Sequence, residues 1–191
     1  MQRILALMIF VIALPLLGIM YFIVRITSKG PFIFKQKRMG RGKKIFTIYK
    51  IRTMVEDAEK LKAKYQSLNE ADGPVFKIRE DPRYTGAGKI ISRFGLDELP
   101  QLLNIIKNEM SFVGPRPLPV EEALQVPKKY EARFSVLPGI TSSWVVVGAH
   151  KLNFKQWMDL DLEYVKKKNF WYDMKIVFKT MFLILKLVFK F

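Results

Sequence analysis

Two adjacent carboxylates, Asp97 and Glu98, and an arginine between two prolines, Arg116 in Pro115-Arg116-Pro117, are the residues best suited to chemistry in this 191-residue chain. The chain has no Cys and a single His, His150. That excludes a disulfide framework, a thiolate nucleophile, Cys-ligated zinc or iron–sulfur sites and two-His metal centres. His150 is then the one imidazole available to a serine triad. Chemistry here must run on carboxylates, Lys, Arg and hydroxyls, or on a bound ion. His150, alone after Val145 to Ala149, reads as a surface or interface residue rather than a catalyst.

The elements around these residues narrow what they can do. Leu99, Leu102, Leu103, Ile106 and Met110 follow helical spacing, and Pro100 suits a first helical turn, so a helix is predicted with Asp97 and Glu98 at its N-terminus. Two readings follow from spacing alone. In one, Asp97 caps the helix and Glu98 complements its dipole. In the other, the first carboxylate is a nucleophile on phosphorus and the second binds a divalent cation, with the helix N-terminus helping to hold a phosphate. Two adjacent acids suit Mg²⁺, which takes one or two carboxylates together with substrate phosphates. Arg116, extended and stripped of neighbouring amide donors by its prolines, suits bidentate phosphate binding; a solvated loop arginine is the alternative.

Elsewhere, Phe32 to Phe34 and Ile45 to Ile51 read as short strands joined by a basic turn containing Gly40 and Gly42. Neither Gly40-Arg41-Gly42-Lys43 nor Gly86-Ala87-Gly88-Lys89 has the upstream Gly and following Ser/Thr of a Walker loop. Met54, Ala58, Leu61, Tyr65 and Leu68 predict an amphipathic helix ending near Asn69. Asn69 to Gly88 reads as loop, and Pro138-Gly139-Ile140-Thr141 as a turn. At the C-terminus Lys175, Lys179, Lys186 and Lys190 form a narrow stripe on an otherwise apolar helix, a pattern suited to a bilayer interface.

The balance of 33 Lys+Arg against 17 Asp+Glu, a net charge of +16, calls for an anionic partner. Nucleic acid, an anionic bilayer and phosphorylated substrates all satisfy it. The uncharged run from Ile4 to Val24 favours the bilayer, being about the 20 residues that cross a hydrocarbon core as a helix. It is longer than a signal-peptide core and lacks a small-x-small cleavage site. Pro15 near its middle bends a helix. Ten Lys and Arg residues from Arg25 to Arg52 precede the first acid, Glu56, and are expected to stay cytoplasmic. Arg3 and the amino group hold the other end back too, so the segment either spans or turns back at Pro15.

Leu96-Asp97-Glu98-Leu99-Pro100-Gln101-Leu102 with Met110-Ser111-Phe112-Val113-Gly114-Pro115-Arg116-Pro117 resembles the signature of the bacterial sugar transferases, the monotopic polyprenyl-phosphate phosphoglycosyl transferases. Further similar stretches run from Phe34-Lys35-Gln36-Lys37-Arg38, through Phe46 to Met54 and Asn69 to Lys77, to Pro138-Gly139-Ile140-Thr141 and Leu160-Asp161-Leu162-Glu163-Tyr164-Val165. The resemblance covers nearly the whole chain, in its minimal catalytic form. It implies that Asp97 attacks the β-phosphate of a UDP-sugar, expels UMP and carries the phosphosugar to polyprenyl phosphate, with Glu98 and Asp97 at a Mg²⁺ site. Arg116 would bind substrate phosphate, with Lys50, Arg52 and Arg93 as further candidates. Asp161 and Asp173 match acidic positions of the family. The chain departs from the common pattern at Ser92, Gly95, Ser142, Val145 and Gly148-Ala149.

The resemblance also implies a helix-rich α+β fold in a monotopic membrane protein. Residues 1–28 would form a re-entrant, proline-kinked helix and residues 29–191 the catalytic region, with interfacial amphipathic helices, at the cytoplasmic face of the bacterial inner membrane. The implied partners are a UDP-sugar, polyprenyl phosphate and an anionic phospholipid bilayer, with homodimerisation open and nucleic acid excluded because it leaves the carboxylate pair without a role. A non-catalytic scaffold of the same fold is the alternative function.

Overall fold

The computed structural model describes residues 1–148 and 152–189, a helix-rich α+β arrangement. His150, Ala149 and Lys190 lie outside the described residues. Helix α1, Gln2–Thr27, runs through Pro15 and is long and apolar enough to cross a membrane. Its Ala6 is buried among Phe46, Ile48, Leu102, Ile105 and Met110, while Met20 and Val24 are buried against Ile51 and Ile91. Arg3 Nε donates to the carbonyl of Ile106 at 2.7 Å. Both ends of α1 therefore pack on the same body. Its other face exposes Ile4, Met8, Val11, Ile12, Ile19 and Phe22.

Strands β1, Ile33–Met39, and β2, Ile45–Ile51, form the expected antiparallel hairpin, with Phe34 opposite Lys50. Strand alternation places Lys50 on the face of Phe46 and Ile48, the face that packs inward. The helix expected over residues 54–69 does not form as one. Turns and two short 3₁₀ segments, Lys60–Lys62 and Gln66–Leu68, take its place, with i−3 and i−4 hydrogen bonds mixed. Of its apolar stripe only Ala58 is buried, so packing does not enforce a continuous helix.

Helix α2, Gly86–Arg93, follows the loop and packs directly on the backbone after β2: a Cβ at Gly88 would lie 1.9 Å from the Thr53 carbonyl oxygen. The glycine there serves close packing rather than phosphate binding. The helix expected from Leu99 to Met110 is split. A 3₁₀ segment, Leu96–Gln101, leads into a short α3, Leu102–Ile106, and the chain turns at Asn108, where φ is +62°. Asn104, fully buried, explains the early stop: its side chain accepts from Tyr49 N–H and donates to the Thr47 carbonyl, tying α3 to β2.

Strand β3, Ser111–Val113, pairs in parallel with β4, Gly139–Thr141, so the expected turn at Pro138–Thr141 is in fact a strand. The pairing demands glycine at the crossing, because a Cβ on Gly139 would sit 2.1 Å from Gly114 N. Helices α4, Val120–Leu124, and α5, Ser143–Val147, are single turns. Helix α6, Phe154–Lys167, starts with a capping box from Asn153 and Gln156. Helix α7, Phe170–Phe189, buries Ile176 and exposes Trp171, Phe178, Met181, Phe182 and Leu185, with Lys175, Lys179 and Lys186 also exposed.

Candidate active site

The carboxylate pair sits in the 3₁₀ segment Leu96–Gln101. Gly95 precedes it with φ +69°, a left-handed conformation that glycine adopts at little cost. No side chain caps this segment, so the capping reading of Asp97 does not hold. Three residues per turn put Leu96 and Leu99 on one face, and both pack against the cluster that Met20 and Val24 of α1 form with Ile51 and Ile91. Asp97, buried, and Glu98 turn toward β2 instead.

There Lys50 Nζ lies 2.8 Å from Glu98 Oε1 and 3.5 Å from Asp97 Oδ2. Arg116 Nη1 lies 3.5 Å from the same Glu98 oxygen. Burial raises Asp97 above the usual carboxylate range and the Glu98 charge adds to it, against the pull of Lys50. Burial acts on Glu98 as well, but Lys50 and Arg116 outweigh it and hold Glu98 low. The pair is thus differentiated by environment: one acid is firmly ionised, and the other is a desolvated, more basic carboxylate. Such an asymmetry is what a carboxylate nucleophile beside an anionic partner would require.

Arg116 stands with its guanidinium 5.6 Å from the Trp144 ring, and Trp144 stacks on Trp157 at 5.1 Å. Lys77 lies over the other Trp of this stack, 5.2 Å from the Trp157 ring, and burial with the nearby Arg116 charge lowers it to about 8. Arg38 is lowered to about 10, by burial first and then by Arg116. A narrow cleft is lined by Arg38, Lys50, Glu98, Gln101, Arg116 and Gly139. Arg38 Nε is buried without a hydrogen-bond acceptor, leaving a donor for an anion, while the Gln101 amide acts on Glu98.

Of the residues singled out from sequence, the fold brings Asp97, Glu98, Lys50 and Arg116 together. Asp161 stands one layer behind, paired with Arg133, whose Nη2 donates to the Arg116 carbonyl at 2.8 Å. Arg52 Nε instead donates to the Pro31 carbonyl, and exposed Arg93 ends α2; neither reaches the carboxylates. Asp173 Oδ1 accepts from the Tyr164 hydroxyl at 2.8 Å, where α6 meets α7. Arg38, Lys77, Gln101, Arg133 and Trp144 join the site only in three dimensions. The one signal for them in sequence was that Arg38, Lys77 and Gln101 fall inside the stretches carrying the family resemblance.

Asp97 and Glu98 offer hard oxygen donors only, and among the described residues no third His, Cys, Asp or Glu joins them to complete a metal cage. That donor set fits Mg²⁺, whose remaining positions substrate phosphates and water fill.

A differentiated carboxylate pair thus lies beside a cluster of cations, on a body that packs one long apolar helix. The bacterial sugar transferase family matches residues 1–187, and the chain belongs to that family. It is 40% identical to the galactosyl transferase CpsE of Streptococcus agalactiae, over 82% of this chain and 35% of the relative. It is 35% identical to the undecaprenyl-phosphate galactose phosphotransferase of Salmonella typhimurium, over 95% of this chain and 39% of the relative. The chain thus spans little more than a third of these relatives. It is 32% identical to the exopolysaccharide production protein ExoY of Sinorhizobium fredii, over 87% of this chain and 75% of that protein.

Proposed function

We propose that the chain transfers a sugar-1-phosphate from a UDP-sugar to polyprenyl phosphate, starting a surface polysaccharide, lipid-linked oligosaccharide or glycoprotein glycan. The observation that carries this reading is the pair itself: a buried Asp97 kept basic beside an ionised Glu98, with Lys50 touching both. In the first step an Asp97 oxygen attacks the β-phosphorus. The bond from that phosphorus to the bridging oxygen breaks, and UMP leaves with its electron pair. In the second step a polyprenyl phosphate oxygen attacks the same phosphorus and Asp97 departs as a carboxylate, so no proton donor is required at either step. Lys50 and Arg116 face the charge that builds on the equatorial oxygens. Asp97 and Glu98 would hold Mg²⁺, which supplies neutralisation of the diphosphate when bound.

The membrane reading rests on α1. A straight spanning helix would carry its N-terminal half away from the body, whereas Arg3 and Ala6 contact the same body as Met20 and Val24. We read α1 as re-entrant at Pro15 and α7 as interfacial, both apolar faces turned to anionic lipid at the cytoplasmic face of the inner membrane.

The test is Mg²⁺-dependent UMP release by the purified chain in nanodiscs, with undecaprenyl phosphate and a panel of UDP-sugars. A lipid-linked product from one sugar, lost in Asp97→Asn and sharply reduced in Glu98→Gln, is expected. Folded protein that releases no UMP across the panel would favour the non-catalytic scaffold.

A further inference from the structure

The segment Pro115-Arg116-Pro117 is fastened through its carbonyl oxygens. Its prolines have no N–H to offer, so acceptors are what the fold can grip there. Pro115 O accepts from Gly139 N–H at 3.0 Å, Arg116 O from Arg133 Nη2 at 2.8 Å, and Pro117 O from Arg38 Nη1 at 3.0 Å. The middle grip has a support of its own. Arg133 Nε donates to Asp161 Oδ2 at 3.0 Å and Nη2 lies 2.9 Å from the same oxygen, with both side chains only 2% exposed.

A buried ion pair is weak evidence for stability, since apolar residues of similar volume often serve as well. This one places a guanidinium against the single carbonyl that belongs to the arginine facing Glu98. Helix α6 supplies the rest of the platform. Asp161 and Trp157 lie four residues apart, hence on one helix face, and Trp157 stacks under the Trp144 ring that carries the Arg116 guanidinium.

Building on the transfer reaction above, we propose that Arg133, oriented by Asp161, is a positioning residue that fixes where the Arg116 guanidinium meets the phosphate at the carboxylate pair. Neither Arg133 nor Asp161 touches substrate. They act through the Arg116 backbone, and their contribution therefore exists only while Arg116 is present.

That dependence supplies the experiment. UMP release by the full chain in nanodiscs is measured for Arg133→Gln and Asp161→Asn, and for Arg133→Gln in an Arg116→Gln background, with cooperative thermal unfolding checked for each. A displacement of about 1 Å costs on the order of 10²-fold in rate, so each single variant should lose roughly 10–100-fold in kcat/KM. The same Arg133→Gln change should matter about threefold or less once Arg116 is gone. Equal losses in both backgrounds would overturn the proposal. If Arg133→Gln fails to fold, the apolar pair Arg133→Met with Asp161→Leu removes the same grip without orphaning a charge. Hydrogen exchange gives an arm independent of turnover: the Gly114 and Gly139 amides, bonded to the Thr141 and Pro115 carbonyls, should exchange faster in Asp161→Asn while β1 and β2 do not change. Unaltered exchange there overturns positioning, and absence of UMP release by the wild type refutes the transfer reaction alone.

Discussion

Lys50→Met separates the two carboxylates more cleanly than any other change. Among the described residues, Lys50 makes two of the three cation contacts to the pair, at 2.8 and 3.5 Å, and Arg116 makes the third at 3.5 Å. At an effective dielectric constant of about 20, unit charges at those separations attract by about 6 and about 5 kcal/mol before desolvation is counted. The Arg116 side chain is 38% exposed against 15% for Lys50, so solvent screens the Arg116 contact further. Lys50 therefore dominates the field at Asp97. In the proposed transfer Asp97 would attack only when ionised, and burial, reinforced by Glu98, already raises it. Without Lys50 it rises further. The acid limb of the pH–rate profile must then move to higher pH, and activity measured above that limb should partly return. Around neutral pH a loss of about 10²–10³-fold in kcat/KM is expected, the usual effect of deleting one preorganised charge-stabilising donor. The assay is UMP release across a pH series for wild type, Lys50→Met and Arg116→Met. An acid limb that stays in place in Lys50→Met, or that moves as far in Arg116→Met, refutes the assignment.

Asp97→Asn should be inactive yet more stable than wild type at neutral pH. A carboxyl raised in the fold stabilises most while protonated, and that contribution is lost as pH climbs through its folded value; Asn mimics the protonated form, so thermal unfolding should shift up by about 2–4 °C per kcal/mol recovered. Gly139→Ala should abolish the β3–β4 crossing, since its Cβ would meet Gly114 N at 2.1 Å and the Thr141 carbonyl at 2.5 Å; loss of a cooperative transition checks it. Asn104→Leu should cost about 1–3 kcal/mol for each buried backbone group it orphans at Tyr49 and Thr47, read by denaturant titration, with UMP release falling because β2 carries Lys50. Asp81 is pushed up by burial but held low overall by Arg83, so its contribution, present above the ordinary Asp value, should be lost as pH falls through the folded value; Asp81→Asn should flatten that acid-side loss.

The hairpin and the terminal helices were legible because strand alternation and apolar length are local signals; the segment after the hairpin was not, because Met54, Ala58, Leu61, Tyr65 and Leu68 keep helical spacing although only Ala58 is buried. The split at Leu96–Ile106 was not, because Leu99, Leu102, Leu103 and Ile106 satisfy helical spacing whether or not the first turn is 3₁₀. What decides the matter is Asn104, a residue that propensity ignores and that bonds across to β2. The strand at Gly139–Thr141 hid behind Pro138-Gly139, which reads as a turn until β3 is placed beside it. In the site, the adjacent acids and the proline-flanked arginine stood out because their types and neighbours are unusual in one dimension. Lys50 came from motif similarity, and Arg133 and Trp144 from neither source, since what makes them part of the site is a carbonyl and a ring contributed by other segments.

The 3₁₀ geometry also links the bilayer to the chemistry. In a three-residue repeat, Leu96 and Leu99 fall on one side, and that side packs on the cluster shared by Met20 and Val24 of α1 with Ile51 and Ile91. Asp97 and Glu98 occupy the positions between them and face Lys50 on the opposite side. An α-helical turn, at about 100° per residue, would have left Leu99 about 60° out of register with Leu96 after three residues and spread the leucines away from a single face. Asp97 is consequently one residue from a side chain packed on a cluster that includes Met20 and Val24 of α1, the helix whose outer surface is apolar and exposed. In the proposed transfer, a lipid phosphate held at the membrane surface and a nucleotide-sugar arriving from water would meet there, because the same short segment would face both.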